Sequence, residues 1–525
     1  MLQMTTNRQP RILWADDEID MLRPHIMFLE SKGYELTTVC SGSDALEAME
    51  SAEFDMVILD EHMPGITGLQ TLQSIKQQHP HMPVIMITKS EEENIMERAI
   101  GSRIADYLIK PVNPNQILLS IKKTLDGRRL VADTSTSGYR AEFGAITASI
   151  AQCATLDDWR DLYRRLVYWQ TELSAQTHTL QADTAEMASI LATQIDEANT
   201  VFGKFIRRNY RDLLLNEPLT SPGLIRSRVM PLLKEGPVWF VVIDNFRLDQ
   251  WLALKSLLSN LFTFSDETLS LSILPTSTQF ARNAIFAGMM PSEIKRRWPD
   301  LWVDDDAAES KNMAEERLLA MQLERHGFRE RMSYSKIFDS EGCEQFISTM
   351  ADRADCRLNA VVINFIDMLS HARTESRTVR ELASTDAAYL SITDSWLRHS
   401  PTLELFSRIA ATGQKVVLAT DHGTIRVATP QRIVGDRTLT TNLRYKAGRG
   451  MDYNARQVMV ADRPAEIGLP VKRIGEEYVF ATGRDFFAYP NNYNHYAQYY
   501  RGTFQHGGIS MEEMLVPLVT LTSKL

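Results

Sequence analysis

Five short runs rich in β-branched and apolar residues, RILWA (11–15), ELTTV (35–39), DMVIL (55–59), PVIMI (83–87) and ADYLI (105–109), punctuate the first 125 residues, separated by segments long enough for helices. This alternation predicts an open parallel sheet of (βα) repeats. Ligands collect beyond the carboxyl ends of such strands. The residues that follow these runs carry charge or a hydroxyl: Asp16 and Asp17, Asp60, Thr88 and Lys110. The pattern then changes. No proline occurs from Asn115 to Glu217, and Leu156, Trp159, Leu162, Tyr163, Leu166 and Trp169 recur at three- and four-residue spacing. Thr155 is the predicted N-cap of this helix, with Asp157 and Asp158 in its first turn. Met187, Ile190, Leu191 and Ile195 form a second stripe, and the polar patch DTSTSGYR (133–140) separates the helices from the β/α repeats. The stripes predict a small helical bundle, in which they serve either as its own core or as a seam for a second copy. From GPVWFVVID (236–244) the β/α alternation resumes, and its apolar runs end in chemistry: Asp244, Thr276 and Thr278 of PTST, Asp367 and His371, Asp421 and His422 of TDHG, and His506 in a glycine-rich loop.

A chain of 525 residues exceeds one ordinary core, and the pattern divides it into residues 1–127, 128–230 and 231–525. The expected fold class is multidomain α/β: a flavodoxin-like (βα)5 domain, a helical bundle and an α/β/α domain. An apolar content of 44% with 24% charged residues is that of globular protein. No apolar run approaches the ~20 residues that span a bilayer, and MLQMTTNRQPRILWADDE has no signal-peptide core, so a cytoplasmic protein is expected. Cys40, Cys153, Cys343 and Cys356 lack zinc-finger spacing and read as reduced thiols. The net charge of -10 argues against duplex DNA as a partner, and Arg160, Arg164, Arg165, Arg207, Arg208 and Arg211 read as a solvated face.

In the first domain, three converging carboxylates repel one another unless a hard cation sits among them, and oxygen ligands suit Mg²⁺. Lys110 and Thr88 complete a cradle for a phosphoryl group. Through ADDE, VILDEHMPG, MITKS and DYLIKP the stretch 10–126 resembles the receiver domain of two-component response regulators. The resemblance implies that Asp60 accepts a phosphoryl group from a histidine kinase. It also implies that Asp16, Asp17, Asp60 and the backbone carbonyl of His62 hold Mg²⁺, that Thr88 and Lys110 contact the phosphoryl oxygens, and that Tyr107 is a rotameric switch.

In the last domain, imidazoles and carboxylates without thiolates suit Zn²⁺ or a similar borderline ion. Three aspartates and three histidines exceed one tetrahedral shell. They divide between two ions, which ~4 Å apart can clamp both oxygens of an in-line phosphoryl displacement. A threonine hydroxyl between them becomes a nucleophile. The set ID, PTSTQF, D-x3-H, TDHG and HGG resembles the PglZ-type domain of the alkaline phosphatase superfamily over about residues 236–525. By that resemblance one Zn²⁺ takes Asp244, Thr278, Asp421 and His422, and the other takes Asp367, His371 and His506. Thr278 is the implied nucleophile, because PTST matches the P-T-x-T of phosphodiesterases in the superfamily; Thr276 is the fallback. The sulfatase signature is absent, and the loop from about Pro291 to Arg331, with its acidic run DDDAAES, is an insertion that reads as a solvated cap or a lid.

The two domains with a helical linker between them resemble the PorX family of response regulators. That resemblance implies a phosphodiesterase acting on nucleotides or oligonucleotides in type IX secretion and gliding systems. It further implies a PorY-like sensor histidine kinase, a phosphorylation-promoted homodimer, a SigP-like sigma factor and a secretion-motor component as partners. The rival is a catalytically weak PglZ domain used as a phosphorylation-controlled docking module, against which the spare coordination positions weigh. A DNA-binding output is disfavoured by the acidic total.

Overall fold

The computed structural model describes residues 9–88, 104–176, 182–304, 310–375, 385–435, 439–489 and 493–525. The chain forms two compact units, Met1–Ala141 with Glu172–Met187, and Glu142–Thr171 with Ala188–Leu525.

The first unit holds strands β1 (Arg11–Ala15), β2 (Glu35–Val39), β3 (Met56–Asp60), β4 (Val84–Thr88) and β5 (Asp106–Ile109). All pair in parallel in the order β2-β1-β3-β4-β5, a flavodoxin-like sheet. Each predicted run lies within one residue of its strand. Alternate residues serve opposite faces, as a two-residue period requires. Leu13, Val57, Leu59 and Met86 enter one core, while Ile12, Ile58, Ile85 and Ile87 enter the other. Helices α1 (Arg23–Ser31), α2 (Gly42–Ser51) and α3 (Gly68–Gln78) follow the first three strands. Thr67 and Gln70 close a capping box on α3. Gly68 admits the helix against the strand end, since a Cβ there would stand 2.2 Å from the Asp60 carbonyl oxygen.

Helix α4 (Pro114–Gln152) runs through the patch DTSTSGYR, which ends just before the boundary of the two units at Ala141 and Glu142. Serine, threonine and a single glycine cost each only about 0.5–1 kcal/mol in a helix, and no proline interrupts the stretch.

In the second unit, α5 (Leu156–Gln176) starts where predicted: the Thr155 hydroxyl accepts from Asp158 N at 3.2 Å, and Asp158 returns the bond to Thr155 N at 2.8 Å. The apolar stripe turns inward. Trp159 is wholly buried against Phe202 and Phe205 of α6 (Ala182–Asn216), with ring centroids at 5.3 and 5.9 Å. Arg160 departs from the expected solvated face, because it is buried and donates to the Leu269 carbonyl at 2.8 Å while pairing with Asp157 and Glu217. Tyr210 of α6 also reaches the following domain, for its hydroxyl accepts from Leu274 N–H at 2.7 Å. These helices share a core with the domain that follows.

That domain is built on a six-stranded sheet. Its elements in chain order are β6 (Val238–Ile243), α7 (Leu248–Leu258), β7 (Phe262–Leu271), α8 (Thr278–Ala287), α9 (Pro291–Arg297), α10 (Glu315–Arg325), β8 (Met332–Ile337), β9 (Leu358–Ile363), α11 (Phe365–Glu375), α12 (Asp386–His399), β10 (Lys415–Ala419), β11 (Ile425–Arg426), β12 (Phe504–Gln505) and β13 (Leu515–Ser523). The order is β7-β13-β10-β6-β9-β8, with β10, β6, β9 and β8 parallel and β13 antiparallel to both of its neighbours, β10 and β7. Every residue of β6 and β9 is buried, as expected of strands covered on both faces. The ends of β10, β6 and β9 therefore share one edge.

The segment 291–331, read above as a loop, contains α9 and α10 and is fastened to α8: Gln279 Nε2 donates to the Val303 carbonyl at 2.7 Å, Asn283 Nδ2 to that of Lys311 at 3.1 Å, and Asn312 Nδ2 to that of Thr278 at 3.2 Å. Five residues of its acidic run, 305–309, lie outside the described residues. Among the described residues no helix is long and apolar enough to cross a membrane.

Trp159→Ala should lower the stability of the second unit by about 3–5 kcal/mol. Urea unfolding followed by circular dichroism and by Trp239 and Trp251 fluorescence should move together; a shift confined to the helical signal would refute a shared core.

Candidate metal centres

In the first unit, Asp16 stands one residue past β1, Asp60 and Thr88 are the last residues of β3 and β4, and Lys110 follows β5. Asp16, Asp60 and Thr88 are buried, and Asp17 is exposed. Carboxylate oxygens of Asp16, Asp17 and Asp60 all lie within 4.8 Å of one another. Lys110 Nζ bridges the buried pair, 2.8 Å from Asp16 Oδ2 and 2.9 Å from Asp60 Oδ1. His62 N–H donates to Asp60 Oδ2 at 3.0 Å, which turns the 61–63 backbone around the acid. Tyr107 is half-buried on β5 against the core. Burial raises the Asp60 pKa above the ordinary 3.8, and Lys110 offsets only part of that rise. Burial works against the Lys110 ammonium too, but its bonds to Asp16 and Asp60 prevail and raise its pKa. Three oxygen donors of this kind fit Mg²⁺, with Asp16, Asp17 and Asp60 the side chains to hold it.

The second centre assembles at the shared edge of β6, β9 and β10. Asp244 follows β6, Asp421 and His422 follow β10, Thr278 opens α8, Asp367 lies in the first turn of α11, and His506 follows β12. Asp244, Asp421 and His422 are buried, with one ligand atom of each within 4.8 Å of the others. His422 Nε2 lies 3.8 Å from Asp244 Oδ1 and 3.9 Å from Asp421 Oδ2. The Thr278 hydroxyl stands between them, 3.0 Å from His422 Nε2 and 3.4 Å from Asp244 Oδ1. Asp367 Oδ1 is 3.8 Å from His506 Nε2, and the His506 ring stacks on His422 at 4.3 Å, so the two groups adjoin. The seventh predicted side chain, His371, falls on α11 but lies outside the residues whose side chains are described.

Thr276 and Thr278 differ sharply. Thr276 is fully buried, its hydroxyl donating to the Gly508 carbonyl at 2.9 Å and accepting from Gly507 N at 3.0 Å, while its carbonyl meets His506 Nδ1 at 3.2 Å. It fastens the glycine-rich loop. Of the two, it is the Thr278 hydroxyl that faces Asp244 and His422.

Arg282 was not anticipated. It stands four residues after Thr278 and so on the same helical face. Buried, it donates through Nη1 to Asp244 Oδ2 at 2.5 Å and through Nε to Glu315 Oε1 at 2.7 Å. The spacing T-x3-R was its only sequence signal. Burial, with Asp421 and Asp367 nearby, raises the Asp244 pKa well above the ordinary value despite Arg282. Burial would raise Asp421 as well, but His422, Arg282, a hydrogen bond with Asp244 and the bond from Asn245 N–H outweigh it and lower its pKa.

A cation fits this donor set. Asp421 Oδ2 is buried without a hydrogen-bond partner, and Arg282 Nη1 remains 3.8 Å from it. An orphaned carboxylate oxygen beside an imidazole nitrogen is the environment of a borderline transition ion, with Asp244, Asp421, His422 and Thr278 to hold it. Asp367 and His506 would serve a second.

Comparisons with known proteins follow this division. Residues 224–521 match the BREX system PglZ alkaline phosphatase-like domain, residues 12–122 the response regulator receiver domain and residues 129–214 the PorX response regulator linker domain. The alginate biosynthesis transcriptional regulatory protein AlgB of Pseudomonas syringae pv. tomato is 35% identical over 131 residues, 25% of this chain and 29% of that protein. The transcriptional regulatory protein ZraR of Klebsiella oxytoca is 31% identical over 153 residues, 29% of this chain and 34% of that protein. The matched stretches thus span about a third or less of these relatives. Among solved structures, a CheY-like receiver domain protein from Methanospirillum hungatei is 29% identical, covering 22% of this chain and 94% of its own, with a TM-score of 0.22.

The raised Asp60 pKa has a definite sign. Between 3.8 and its folded value the native carboxyl keeps a proton that the unfolded chain has released, so its contribution to stability is lost as pH rises through that window. In chelated protein, Asp60→Asn should therefore raise the receiver's thermal midpoint at pH 7 and flatten its pH dependence. Added Mg²⁺ should stabilise the native sequence and not the variant. A lower midpoint for the chelated variant would contradict the burial argument.

Proposed function

The chain belongs to the PorX-type response regulators, in which a receiver and a linker precede a PglZ alkaline phosphatase-like domain, and from that premise we propose that its output is a two-zinc phosphodiesterase with Thr278 as nucleophile. One observation carries the reading: the Thr278 hydroxyl stands 3.0 Å from His422 Nε2 and 3.4 Å from Asp244 Oδ1, at the strand ends where Asp421 leaves a buried oxygen orphaned.

Bound zinc would supply the positive charge that acidifies the threonine hydroxyl and neutralises the phosphoryl oxygens. The chain's own residues do the rest. Arg282 holds Asp244 Oδ2, which leaves Oδ1 turned toward Thr278. Asn312 holds the Thr278 carbonyl and fixes the first turn of α8. Thr278 Oγ1 passes its proton to solvent water and attacks phosphorus; its new P–O bond forms as the bond to the leaving alkoxide breaks, and the alkoxide takes a proton back from solvent. Water then cleaves phosphothreonine, returning the hydroxyl and releasing a monoester. The engagement of Thr276 with Gly507 and Gly508 supports Thr278 over Thr276 as nucleophile. Nucleotides or oligonucleotides are the substrate class that fits a diester reaction of this kind.

The proposal extends to control. A cognate sensor kinase phosphorylates Asp60 beside Mg²⁺, in the cytoplasm, and the phosphorylated chain dimerises. Contact with a sigma factor and with a secretion-motor component would place the output in type IX secretion and gliding. The support for these roles is family membership.

Thr278→Val should reduce hydrolysis of bis-p-nitrophenyl phosphate at least ~10³-fold in kcat while zinc content stays near that of the native chain. Full turnover in the variant would remove Thr278 from the mechanism. Sedimentation with beryllofluoride and Mg²⁺ should double the mass of the native chain but not that of Asp60→Ala; an unchanged mass would end the dimer proposal.

A further inference from the structure

Asn245 directly follows Asp244 and, among the described residues, is the one non-glycine with positive φ, at 59°. Asparagine is among the few L-residues that tolerate this left-handed backbone, and strained conformations gather where the surrounding structure over-determines them. Asn245 is fully buried. Its bonds divide between the two groups of ligands. Its backbone N–H donates to Asp421 Oδ1 at 3.2 Å, whereas its side-chain Nδ2 donates to Asp367 Oδ1 at 3.2 Å and to Ser370 Oγ at 3.1 Å. Ser370 in turn donates to the Asp367 carbonyl at 2.9 Å. Asp367 Oδ1 is also the oxygen that lies 3.8 Å from His506 Nε2.

The orientation of the amide is dictated by the acid. Turning it over would set the amide oxygen against the Asp367 carboxylate, so Nδ2 faces the acid and Oδ1 is left buried without a hydrogen-bond partner. Backbone strain and an orphaned acceptor, each unfavourable, meet in one residue at the junction of the two groups.

We propose that Asn245 is a positioning residue that yokes the two ion sites: its left-handed backbone aims one N–H at Asp421, and its amide holds the Asp367 oxygen that faces His506. The proposal rests on the two-zinc reading. Donors behind a ligating carboxylate set its orientation, and their loss typically costs 10–100-fold in metal affinity.

The test is zinc titration of the metal-free full chain, counting equivalents and affinities. Asn245→Gly keeps the left-handed turn and the backbone N–H but removes the amide. One equivalent should bind as in the native chain and the other ~10–100-fold more weakly. Asn245→Ala opposes the turn as well, so both equivalents should weaken. The proposal is overturned if Asn245→Gly binds both ions like the native chain, or if Asn245→Ala matches Asn245→Gly. Should circular dichroism find the glycine variant unfolded, Ser370→Ala decides: it removes a partner of the Asn245 amide and a tie to Asp367, and must weaken the same single equivalent. An unchanged isotherm for Ser370→Ala then overturns the proposal. Fewer than two equivalents in the native chain would instead refute the two-zinc reading itself, before any variant is compared.

Discussion

Two carboxylates cannot both be ionised in a dry interior unless positive charge is brought to them, and Asp244 and Asp421 are buried side by side at the ends of adjacent parallel strands. Much of the second unit is arranged around that constraint. Arg282 reaches one acid at 2.5 Å and stops 3.8 Å short of the other. Its own charge is balanced by Glu315, which Lys336 and Tyr334 hold in turn. The remaining deficit falls where a divalent ion has donors waiting. The receiver meets the same problem with lighter means: Lys110 spans Asp16 and Asp60, and the exposed Asp17 leaves one side of the cluster open to solvent.

Strand topology makes this convergence possible. Parallel neighbours end at a common edge, so Asp244, Asp367 and the pair Asp421 and His422 need only follow β6, β9 and β10 to meet, and the glycine-rich loop brings His506 to them. That is why so much was legible beforehand. Buried parallel strands read as unbroken apolar runs, and the residue that breaks the run marks the edge where ligands gather. Asp60, Asp244, Asp421 and His422 all declared themselves in this way.

What stayed hidden depends on angles and partners rather than residue type. Thr276 and Thr278 follow one run and are indistinguishable until their hydroxyl partners are known. Arg282 acts through the face of a helix, and Asn245 through a backbone angle that nothing in IDNFR announces. The polar patch at the boundary of the units is helical because weak local preferences yield to longer-range order when no proline intervenes. The segment 291–331 was mistaken for a loop because its helices are short, and part of its hold on α8 is through the carbonyl groups of Val303 and Lys311, which carry no residue signature.

The shared core of α5, α6 and the PglZ domain has a consequence for how the chain can be divided. Trp159, Phe202 and Tyr210 are buried in one unit with the sheet, so a gene segment encoding only residues 224–521 would specify a protein with a flayed apolar flank. A truncation meant to isolate the phosphatase-like domain therefore has to begin ahead of α5, so that Trp159, Phe202 and Tyr210 stay covered.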